Sequence, residues 1–250
     1  FSGGTGSLTL ALDSQTGNAS NATLANDTLT VSTITDSSGV DTVQISATDA
    51  NNALSSAYSI VFSIGAKQIQ TDTIPSFDLS VGGKDTTVNI AAFEGGSSPL
   101  TFTASVSDSS VVLPALDGNE LTLSPVTAGT ETVTYSSTDA NGVVVSSTFT
   151  VTVNTQVTAA DSIADFSFDK TEGVFTLSQL DTLFSGGAGS YTVTASNSDS
   201  EVATIAVSDS NTIAITPVDS GSTTITITGT DDQTSSASFS TVVTVTRNAF

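Results

Sequence analysis

The chain has 250 residues, is strongly acidic, and lacks several residue types on which common chemistry depends. It carries 25 Asp and Glu against four Lys and Arg, for a formal net charge of −21, and it has no His and no Cys. Without those residues there is no Ser-His-Asp or Cys-His nucleophile, no imidazole or thiolate metal ligand, and no disulfide. Four basic side chains cannot follow a phosphate backbone or an anionic bilayer, so we expect neither nucleic acid nor such a membrane as a partner.

The rest of the composition predicts a folded, extracellular protein. Hydrophobic residues make up 37% of the chain, which is enough to build a core despite the charge. No stretch approaches 18 consecutive apolar residues and no basic-then-apolar leader is present, so we expect no membrane span and no signal peptide in this chain. We therefore expect a piece of a longer protein, located outside the cell or on its surface. An acidic cytoplasmic protein is the alternative.

The most informative pattern is an internal repeat. A Phe-x-Gly-Gly motif begins at Phe1, Phe93 and Phe184, at intervals of 92 and 91 residues. Each motif is followed by a run that alternates apolar and hydroxyl side chains. The later landmarks are a second alternating run (from Leu29, Leu121 and Ile213), a glycine (Gly39, Gly129 and Gly221) and, ten residues further, an aspartate (Asp49, Asp139 and Asp231). Spacing that coincides at so many landmarks indicates three tandem repeats.

Repeats two and three have a leading segment before the Phe-x-Gly-Gly motif. The segment holds Ile74 to Phe77 and Val88 to Ile90 in repeat two, and Ile163 to Phe166 and Val174 to Leu177 in repeat three. Each of these stretches has the pattern of a short strand. Repeat one begins at Phe1, so we expect it to lack two leading strands within this chain.

The period of the hydrophobic pattern predicts an all-β fold. Runs of five to eight residues alternate apolar and Ser/Thr side chains and are separated by Gly, Asn, Asp and Pro, which is typical of antiparallel sheets with one buried face. The segment from Leu177 to Leu183 alone has weak helical spacing and favours a single turn. We predict three tandem immunoglobulin-like antiparallel β-sandwich domains at residues 1–68, 69–156 and 157–250, the first lacking its leading strands. The linkers fall near 65–73 and 154–162.

These motifs together resemble a known class of repeats. The Phe-x-Gly-Gly motif, the Leu121-Thr122-Leu123-Ser124-Pro125 run, the interval from Gly129 to Thr138-Asp139-Ala140-Asn141-Gly142 and the Thr/Val closing strand are similar to the tandem immunoglobulin-like or cadherin-like repeats of bacterial and archaeal surface proteins. Repeat three departs at Asp231-Asp232-Gln233, where the Asn-Gly turn is missing. The resemblance implies a stalk, adhesin or filament outside the cell and no particular ligand.

Calcium is the cofactor that the acidic loops predict. Hard cations take several carboxylate and carbonyl oxygens, and short Asp-x-Asn stretches can supply them. The candidate ligands lie in equivalent loops: Asp49, Asn51, Asp139, Asn141, Asp231 and Asp232, with Asp72, Asp161 and Asp165 of the linkers available to complete a site. The alternative is that each aspartate bonds to the backbone of its own turn.

Glycosylation and catalysis are the two other chemistries we considered. Three acceptor sequons start at Asn18, Asn21 and Asn26, and we expect them on a polar loop between strands. A pair of carboxylates could in principle hydrolyse a glycoside. The Glu residues are few and repeat no spacing that indicates a cleft, so we expect no enzyme.

The incomplete first repeat leaves two interpretations open. A sandwich without its leading strands exposes sheet edges. In the first interpretation the preceding residues of a longer tandem array are not included, and in the second a strand from a neighbouring molecule completes the repeat and polymerises the protein. We expect a structural or adhesive segment of a cell-surface fibre whose partners are adjacent repeats or neighbouring copies. The alternatives are a strand-complemented filament subunit, an adhesin module that binds a surface glycan or protein, and a virion tail or decoration protein.

Overall fold

The computed structural model describes residues 1–35, 37–159, 161–209 and 211–247. The chain forms two compact units. The first comprises Phe1–Asp72, Ala91–Phe102 and Ser136–Ser146, and the second comprises Thr73–Ile90, Thr103–Tyr135 and Ser147–Phe250. Repeat one lies in the first unit, repeat three lies in the second, and repeat two contributes to both. The domain boundaries predicted from the repeats stay a prediction.

Repeat one has two small antiparallel sheets. Its strands in the described residues are β1 (Thr9–Thr16), β2 (Ser20–Ala25), β3 (Thr28–Thr33), β4 (Gly39–Thr48) and β5 (Tyr58–Ile64). One sheet has the order β1-β4-β5, and the other pairs β2 with β3. Apolar side chains occupy every second position, yet several remain half-buried, including Leu29 and Val31 on β3.

Repeat two adds the leading strands that the sequence predicted. Its described strands are β6 (Ile69–Gln70), β7 (Phe77–Ser80), β8 (Thr86–Asn89), β9 (Phe93–Glu94), β10 (Thr101–Val106), β11 (Val112–Asp117), β12 (Glu120–Pro125), β13 (Gly129–Thr138) and β14 (Val144–Asn154). The sheet orders are β10-β13-β14-β7 and β11-β12-β8, with β6 paired to β9. The leading strands β7 and β8 therefore each occupy one edge of a sheet.

Repeat three has the same plan. Its described elements are β15 (Thr158–Ala159), β16 (Phe166–Asp169), β17 (Phe175–Leu177), a 3₁₀ helix (Leu180–Leu183), β18 (Phe184–Ser185), β19 (Thr192–Asn197), β20 (Ala203–Asp209), β21 (Thr212–Pro217), β22 (Gly221–Thr230) and β23 (Ser236–Thr246). The sheet orders are β16-β23-β22-β19 and β17-β21-β20, with β15 paired to β18. Side chains of both larger sheets meet in one core, which includes Phe168, Ile213, Ile225 and Val243.

The period-two pattern of the sequence determines which side chains enter the core. In β22 the buried positions are Thr223, Ile225, Ile227 and Gly229, and the residues between them are more exposed. The predicted single turn appears as the 3₁₀ helix, with Leu180 buried. The predicted all-β fold of immunoglobulin-like repeats is confirmed.

The leading strands differ from the antiparallel prediction in one respect. β7 runs parallel to β14, and β16 runs parallel to β23. Only a direct hairpin forces two neighbouring strands to be antiparallel. The leading and closing strands are separated by most of the repeat, so no hairpin sets their direction.

Candidate functional site

Three equivalent aspartates, Asp49, Asp139 and Asp231, are buried in the hairpin turn before the closing strand of their repeats. Their Oδ1 atoms accept two backbone amides of their own turn, from Asn51 and Ala53, Asn141 and Val143, and Gln233 and Ser235, at 2.8–2.9 Å. Their Oδ2 atoms accept an amide from the loop that follows the Phe-x-Gly-Gly motif, from Thr5, Ser97 and Ala188, at 2.8–2.9 Å. We call each of these arrangements an aspartate clamp. It fastens the hairpin turn to the Gly-Gly loop.

The clamp explains the second glycine of the Phe-x-Gly-Gly motif. Gly96 and Gly187 have a φ of +72°, which glycine adopts without strain. A methyl group on Gly96 would lie 3.0 Å from Cβ of Asp139, and one on Gly187 would lie 2.7 Å from Oδ2 of Asp231. The second glycine of the motif is therefore the residue whose backbone packs directly against the clamp aspartate.

The turn inside each clamp needs one residue with a positive φ. That residue is Asn52 in repeat one, Gly142 in repeat two and Thr234 in repeat three, with φ of 63°, 82° and 69°. Its amide donates to the carbonyl of the clamp aspartate in all three turns. A β-branched residue is strained in this region, whereas glycine is not. Repeat three thus keeps the turn although it lacks the Asn-Gly sequence.

We expect Thr234→Gly to stabilise repeat three by about 1 kcal/mol, because relief of the left-handed strain outweighs the added freedom of the unfolded chain. The Thr234 side chain is exposed, so little packing is lost. Hydrogen exchange in repeat three, measured on the full chain at increasing urea concentration, gives the change in its free energy of unfolding. The matched control is Gly142→Thr, which should destabilise repeat two by a similar amount. Unchanged or lower stability of Thr234→Gly would contradict the strain.

Hydrogen bonds in the clamps favour the ionised carboxylates. The amides of Ala53 and Thr5 hold the pKa of Asp49 below its ordinary value of 3.8. The amides of Ser97 and Val143 do the same to the pKa of Asp139. Burial acts in the opposite direction but does not outweigh these bonds. The clamps of Asp49 and Asp139 are therefore complete at neutral pH.

The depressed pKa values of Asp49 and Asp139 make stability depend on pH in acid. Because their folded pKa is depressed, the clamps of Asp49 and Asp139 contribute fully above pH 3.8 and are lost as the pH falls through the folded pKa. We therefore expect the melting temperature to fall below about pH 3.5. Melting scans from pH 7 to pH 2.5 in low and high salt check this, since screening of the surface charge should leave the fall in place.

A second buried polar position recurs two residues after the glycine that begins β4, β13 and β22 (Gly39, Gly129 and Gly221). It is Asp41, Glu131 or Thr223, on β4, β13 and β22. Oδ2 of Asp41 accepts the amide and the hydroxyl of Ser20, both at 2.6 Å, which lowers the pKa of Asp41. The other two side chains bond the corresponding loops: Glu131 accepts from Ser107 and Asp108, and Thr223 accepts the Asp199 amide at 2.9 Å. Sequence reasoning missed this position because three different residue types share it.

Two of the four basic residues meet at one aspartate in repeat three. Asp219 Oδ1 lies 2.7 Å from Nη2 of Arg247 and 3.3 Å from Nζ of Lys170. The Ser220 amide, Arg247 and Lys170 lower the pKa of Asp219 to about 2. All three side chains are substantially exposed, so these ion pairs contribute little to stability.

The predicted calcium ligands do not form a set that suits calcium. The clamp aspartates already accept amide hydrogens, whose partial positive charge opposes a cation at the same oxygens. The Asn141 side chain donates to Ser97 Oγ at 2.7 Å, and Asp232 accepts from the Ser190 amide at 3.2 Å. Asn51 is exposed. Within the described ranges, no three acidic side chains form a metal-binding group. The geometry thus fits the alternative, in which each aspartate serves its own turn.

Calcium binding is untested, and the sequence and the geometry give opposite expectations for a melting experiment. The acidic loops predict a higher melting temperature in millimolar Ca²⁺ than in chelator, whereas clamp oxygens that already accept amide hydrogens predict the same melting temperature in both. Mg²⁺ at equal concentration controls for general screening of the acidic surface. A rise of several degrees specific to Ca²⁺ would show that calcium binds and that the expectation from the geometry is wrong.

The remaining predicted site residues are at the surface. Asn18, Asn21 and Asn26 are exposed, but the expected loop is only partly correct because Asn21 lies on β2. The side chain of Asn21 is exposed although β2 pairs with β3, and glycosylation stays a prediction. Asp161 accepts the Ser162 amide and Asp165 accepts the Val242 amide, at 2.8 and 2.7 Å.

Repeats two and three are joined by a set of hydrogen bonds. Ser80 Oγ, at the end of β7, donates to Oδ2 of Asp231 at 2.5 Å, so a residue of repeat two completes the clamp of repeat three. Ser235 Oγ donates to the carbonyl of Val81 at 2.9 Å, and the Lys84 amide donates to the carbonyl of Gln233 at 2.8 Å. Three bonds across one joint restrict the bending of these two repeats.

Comparisons with known proteins show similarity to tandem repeat domains. A titin I-band fragment, I67–I69, aligns with 15% identity and a TM-score of 0.41 over 97% of this chain and 88% of that one. Human CDH23 EC21–23 aligns with 11% identity and a TM-score of 0.37 over 94% of this chain and 88% of that one. Extracellular cadherin domains 1–4 of protocadherin gamma B7 align with 12% identity and a TM-score of 0.37, over 96% of this chain and 67% of that one. Comparisons with protein-family models and with curated sequences gave no match.

None of the described residues belongs to a helix with the length and hydropathy that a bilayer crossing requires.

Proposed function

We propose that the chain is a load-bearing segment of an extracellular cell-surface fibre or filament, with a mechanical role and no catalytic step. Its repeats act as spacers and connectors within the fibre, and its partners are adjacent repeats or neighbouring copies. The observation that carries this proposal is the parallel pairing of the first long strand of a repeat with its last strand: β7 with β14, and β16 with β23.

This pairing resists force applied along the chain. Tension pulls β16 backwards at its start and β23 forwards at its end, so the two parallel strands slide past each other. Their hydrogen bonds, over the register Phe166–Val243 to Asp169–Thr246, then carry the load together instead of opening one at a time. Beside the covalent linker, the hydrogen bond from Ser80 to Asp231 also connects repeat two to repeat three.

Single-molecule stretching of the full chain tests the proposal. The chain has no native cysteine, so handles can be placed freely. Handles at Ser162→Cys and Thr246→Cys load β16 against β23, and we expect unfolding at high force with a gain in length of ~25 nm. The matched control uses Ser220→Cys and Thr246→Cys, which pull apart the adjacent ends of the β22–β23 hairpin. We expect a several-fold lower force there.

Equal forces in the two geometries would contradict the load-bearing role. Location has its own test: antibody or protease must reach the protein on intact cells of its source. Protection of the protein until the cells are lysed would remove the extracellular part of the proposal.

A further inference from the structure

Repeat three has a pocket between its 3₁₀ helix, the loop before β19 and the turn from β20 to β21. Its volume is about 500 Å³, which is within the range of small-molecule sites. The side chains that line it supply a carboxylate, an amide, two aliphatic hydroxyls and one aromatic ring. The lining residues are Asp181, Thr182, Gly189, Ser190, Tyr191 and Asn211. Thr182 and Ser190 are exposed, so the pocket is open to solvent on their side.

The equivalent place in repeat two shows which of these groups are particular to repeat three. The Leu180 amide donates to the Asn211 carbonyl at 3.3 Å, and the Ile90 amide donates to the Asn119 carbonyl at 2.8 Å, so the two places correspond. Counted from these bonds and from the Phe-x-Gly-Gly motif, the counterparts of Asp181, Ser190 and Tyr191 are Ala91, Pro99 and Leu100. Repeat two therefore has apolar residues where repeat three has an acid, a hydroxyl and a phenol.

The side-chain amide of Asn211 is a hydrogen-bond donor that the fold leaves available. In repeat two, Nδ2 of the equivalent Asn119 donates to Oδ1 of Asn89 at 3.0 Å. The counterpart of Asn89 is Gln179, whose φ of 60° differs from the extended backbone that Asn89 has on β8. Oδ1 of Asn211 accepts the Asp181 amide at 3.4 Å. Among the described residues, Nδ2 of Asn211 has no acceptor, so it can donate to a ligand.

The carboxylate of Asp181 supplies an acceptor beside this donor. Its Oδ1 accepts the Thr182 amide at 2.9 Å, and its Oδ2 accepts no hydrogen bond from the part of the chain that the structure describes. The bond from the Asp181 amide to Oδ1 of Asn211 holds the two residues next to each other. An acceptor next to a donor matches two neighbouring hydroxyl groups, one that donates to Asp181 and one that accepts from Asn211.

Tyr191 gives the pocket an apolar surface. Its hydroxyl donates to the carbonyl of Gly186 at 2.6 Å, and its ring centroid lies 5.9 Å from that of Phe184. These two contacts fix the orientation of the ring. An aromatic ring packs well against the C–H groups of a ligand whose polar groups point elsewhere, and a sugar ring has both kinds of surface.

Charge narrows the class of ligand further. The carboxylate of Asp181 and the net charge of −21 oppose an anionic ligand. A metal ion is not favoured, because within the described ranges no three acidic side chains form a metal-binding group. A neutral ring that carries several hydroxyl groups satisfies the donor, the acceptor and the aromatic surface together.

We propose that this pocket binds a neutral sugar ring that is the end unit of a glycan chain. The ring packs against Tyr191, and two of its neighbouring hydroxyls bond to Asp181 and Asn211. The rest of the glycan leaves on the solvent side, past Thr182 and Ser190. This site does not depend on the load-bearing role, because that role rests on the pairing of the leading and closing strands.

Titration of the full chain with methyl glycosides tests the site, because the methyl group stands for the next unit of a glycan. The probes are the methyl glycosides of glucose, galactose, mannose and N-acetylglucosamine, and nuclear magnetic resonance of the ¹⁵N-labelled chain detects binding. We expect at least one probe to bind saturably at millimolar concentration and to shift the side-chain amide of Asn211 and the backbone amides of Asp181 and Tyr191. Sorbitol, which has hydroxyls but no ring, and methyl glucuronoside, which is anionic, should each bind at least ~tenfold more weakly.

Two variants replace pocket residues with their counterparts from repeat two. Tyr191→Leu removes the aromatic surface and Asp181→Ala removes the acceptor. Repeat two folds with leucine and alanine at these places, so we expect both variants to stay folded. Each should weaken binding of the best probe at least ~tenfold. The matched control is Tyr58→Leu, which removes an exposed tyrosine of repeat one and should leave the affinity unchanged.

Three results would overturn the proposal. The first is that no methyl glycoside causes a saturable shift at the pocket. The second is that sorbitol binds as well as the best glycoside, which would show non-specific contact with hydroxyl groups. The third is that folded Tyr191→Leu and Asp181→Ala bind as tightly as the unmodified chain. None of these results affects the stretching experiment, so failure of the sugar site and failure of the load-bearing role are distinguishable.

Discussion

Asp231→Ala should destabilise repeat three by at least about 3 kcal/mol. The substitution removes the acceptor of three backbone amides, from Ala188, Gln233 and Ser235, and of the Ser80 hydroxyl. Each buried donor left without a partner costs about 1–3 kcal/mol, and water reaches part of the site after the change. Because three repeats do not unfold as one two-state system, local stability is measured by hydrogen exchange in β22 and β23.

The matched control for this variant is Asp232→Ala. Asp232 is the neighbouring residue, carries the same charge and is exposed, and its side chain accepts hydrogen bonds from Ser190. Both variants reduce the net negative charge equally, so relief of repulsion cancels in the comparison. We expect Asp232→Ala to change the free energy of unfolding by less than about 0.5 kcal/mol. Equal effects of the two substitutions would mean that the clamp contributes nothing beyond its charge.

The clamp also shows how far sequence reasoning reaches. The repeat spacing located Asp49, Asp139 and Asp231 in equivalent turns, and the structure places all three there. It could not separate the calcium interpretation from the turn-capping one, since an aspartate followed by small polar residues suits both. The distinction depends on which amides point at the carboxylate, and one of those amides comes from the Gly-Gly loop more than 40 residues away.

Long-range contacts between polar residues were beyond the sequence for the same reason. Ser80 and Asp231 are separated by 151 positions, and nothing in the local pattern of either predicts the bond between them. The second recurring buried polar position is Asp41, Glu131 or Thr223, three different residues at equivalent places on β4, β13 and β22. Period-two alternation predicts which residues face the core, but it does not predict which buried polar groups contact each other there.

The absent leading strands are the feature that sequence and structure describe most consistently. Self-comparison predicted that repeat one lacks two strands, and the structure has β3 and β5 at the edges of their sheets in the described residues. The parallel direction of the leading strand was not predictable, because no hairpin connects it to the closing strand. That direction underlies the resistance to force proposed for repeats two and three.

A leucine-to-alanine substitution should lower the free energy of unfolding much more in repeat two than in repeat one. Leu121 on β12 is fully buried, and its equivalent Leu29 on β3 is half-buried. We expect Leu121→Ala to destabilise repeat two by about 3 kcal/mol and Leu29→Ala to destabilise repeat one by about 1 kcal/mol, because the cost follows the area buried and the cavity left behind. Hydrogen exchange within β12 and β3 measures each loss in its own repeat.

Covering repeat one should remove this difference. In a variant that carries a copy of residues 73–92 fused directly before Phe1, Leu29 should gain a neighbour like the one that β8 provides for Leu121. The partner of Leu121 in that register is Val88. The cost of Leu29→Ala should then approach about 3 kcal/mol, while the cost of Leu121→Ala stays the same. If Leu29→Ala already costs as much as Leu121→Ala in the unmodified chain, the core of repeat one is closed in solution. The half-buried positions on β3 and β5 would then have another cover, and a leading segment would have nothing to add.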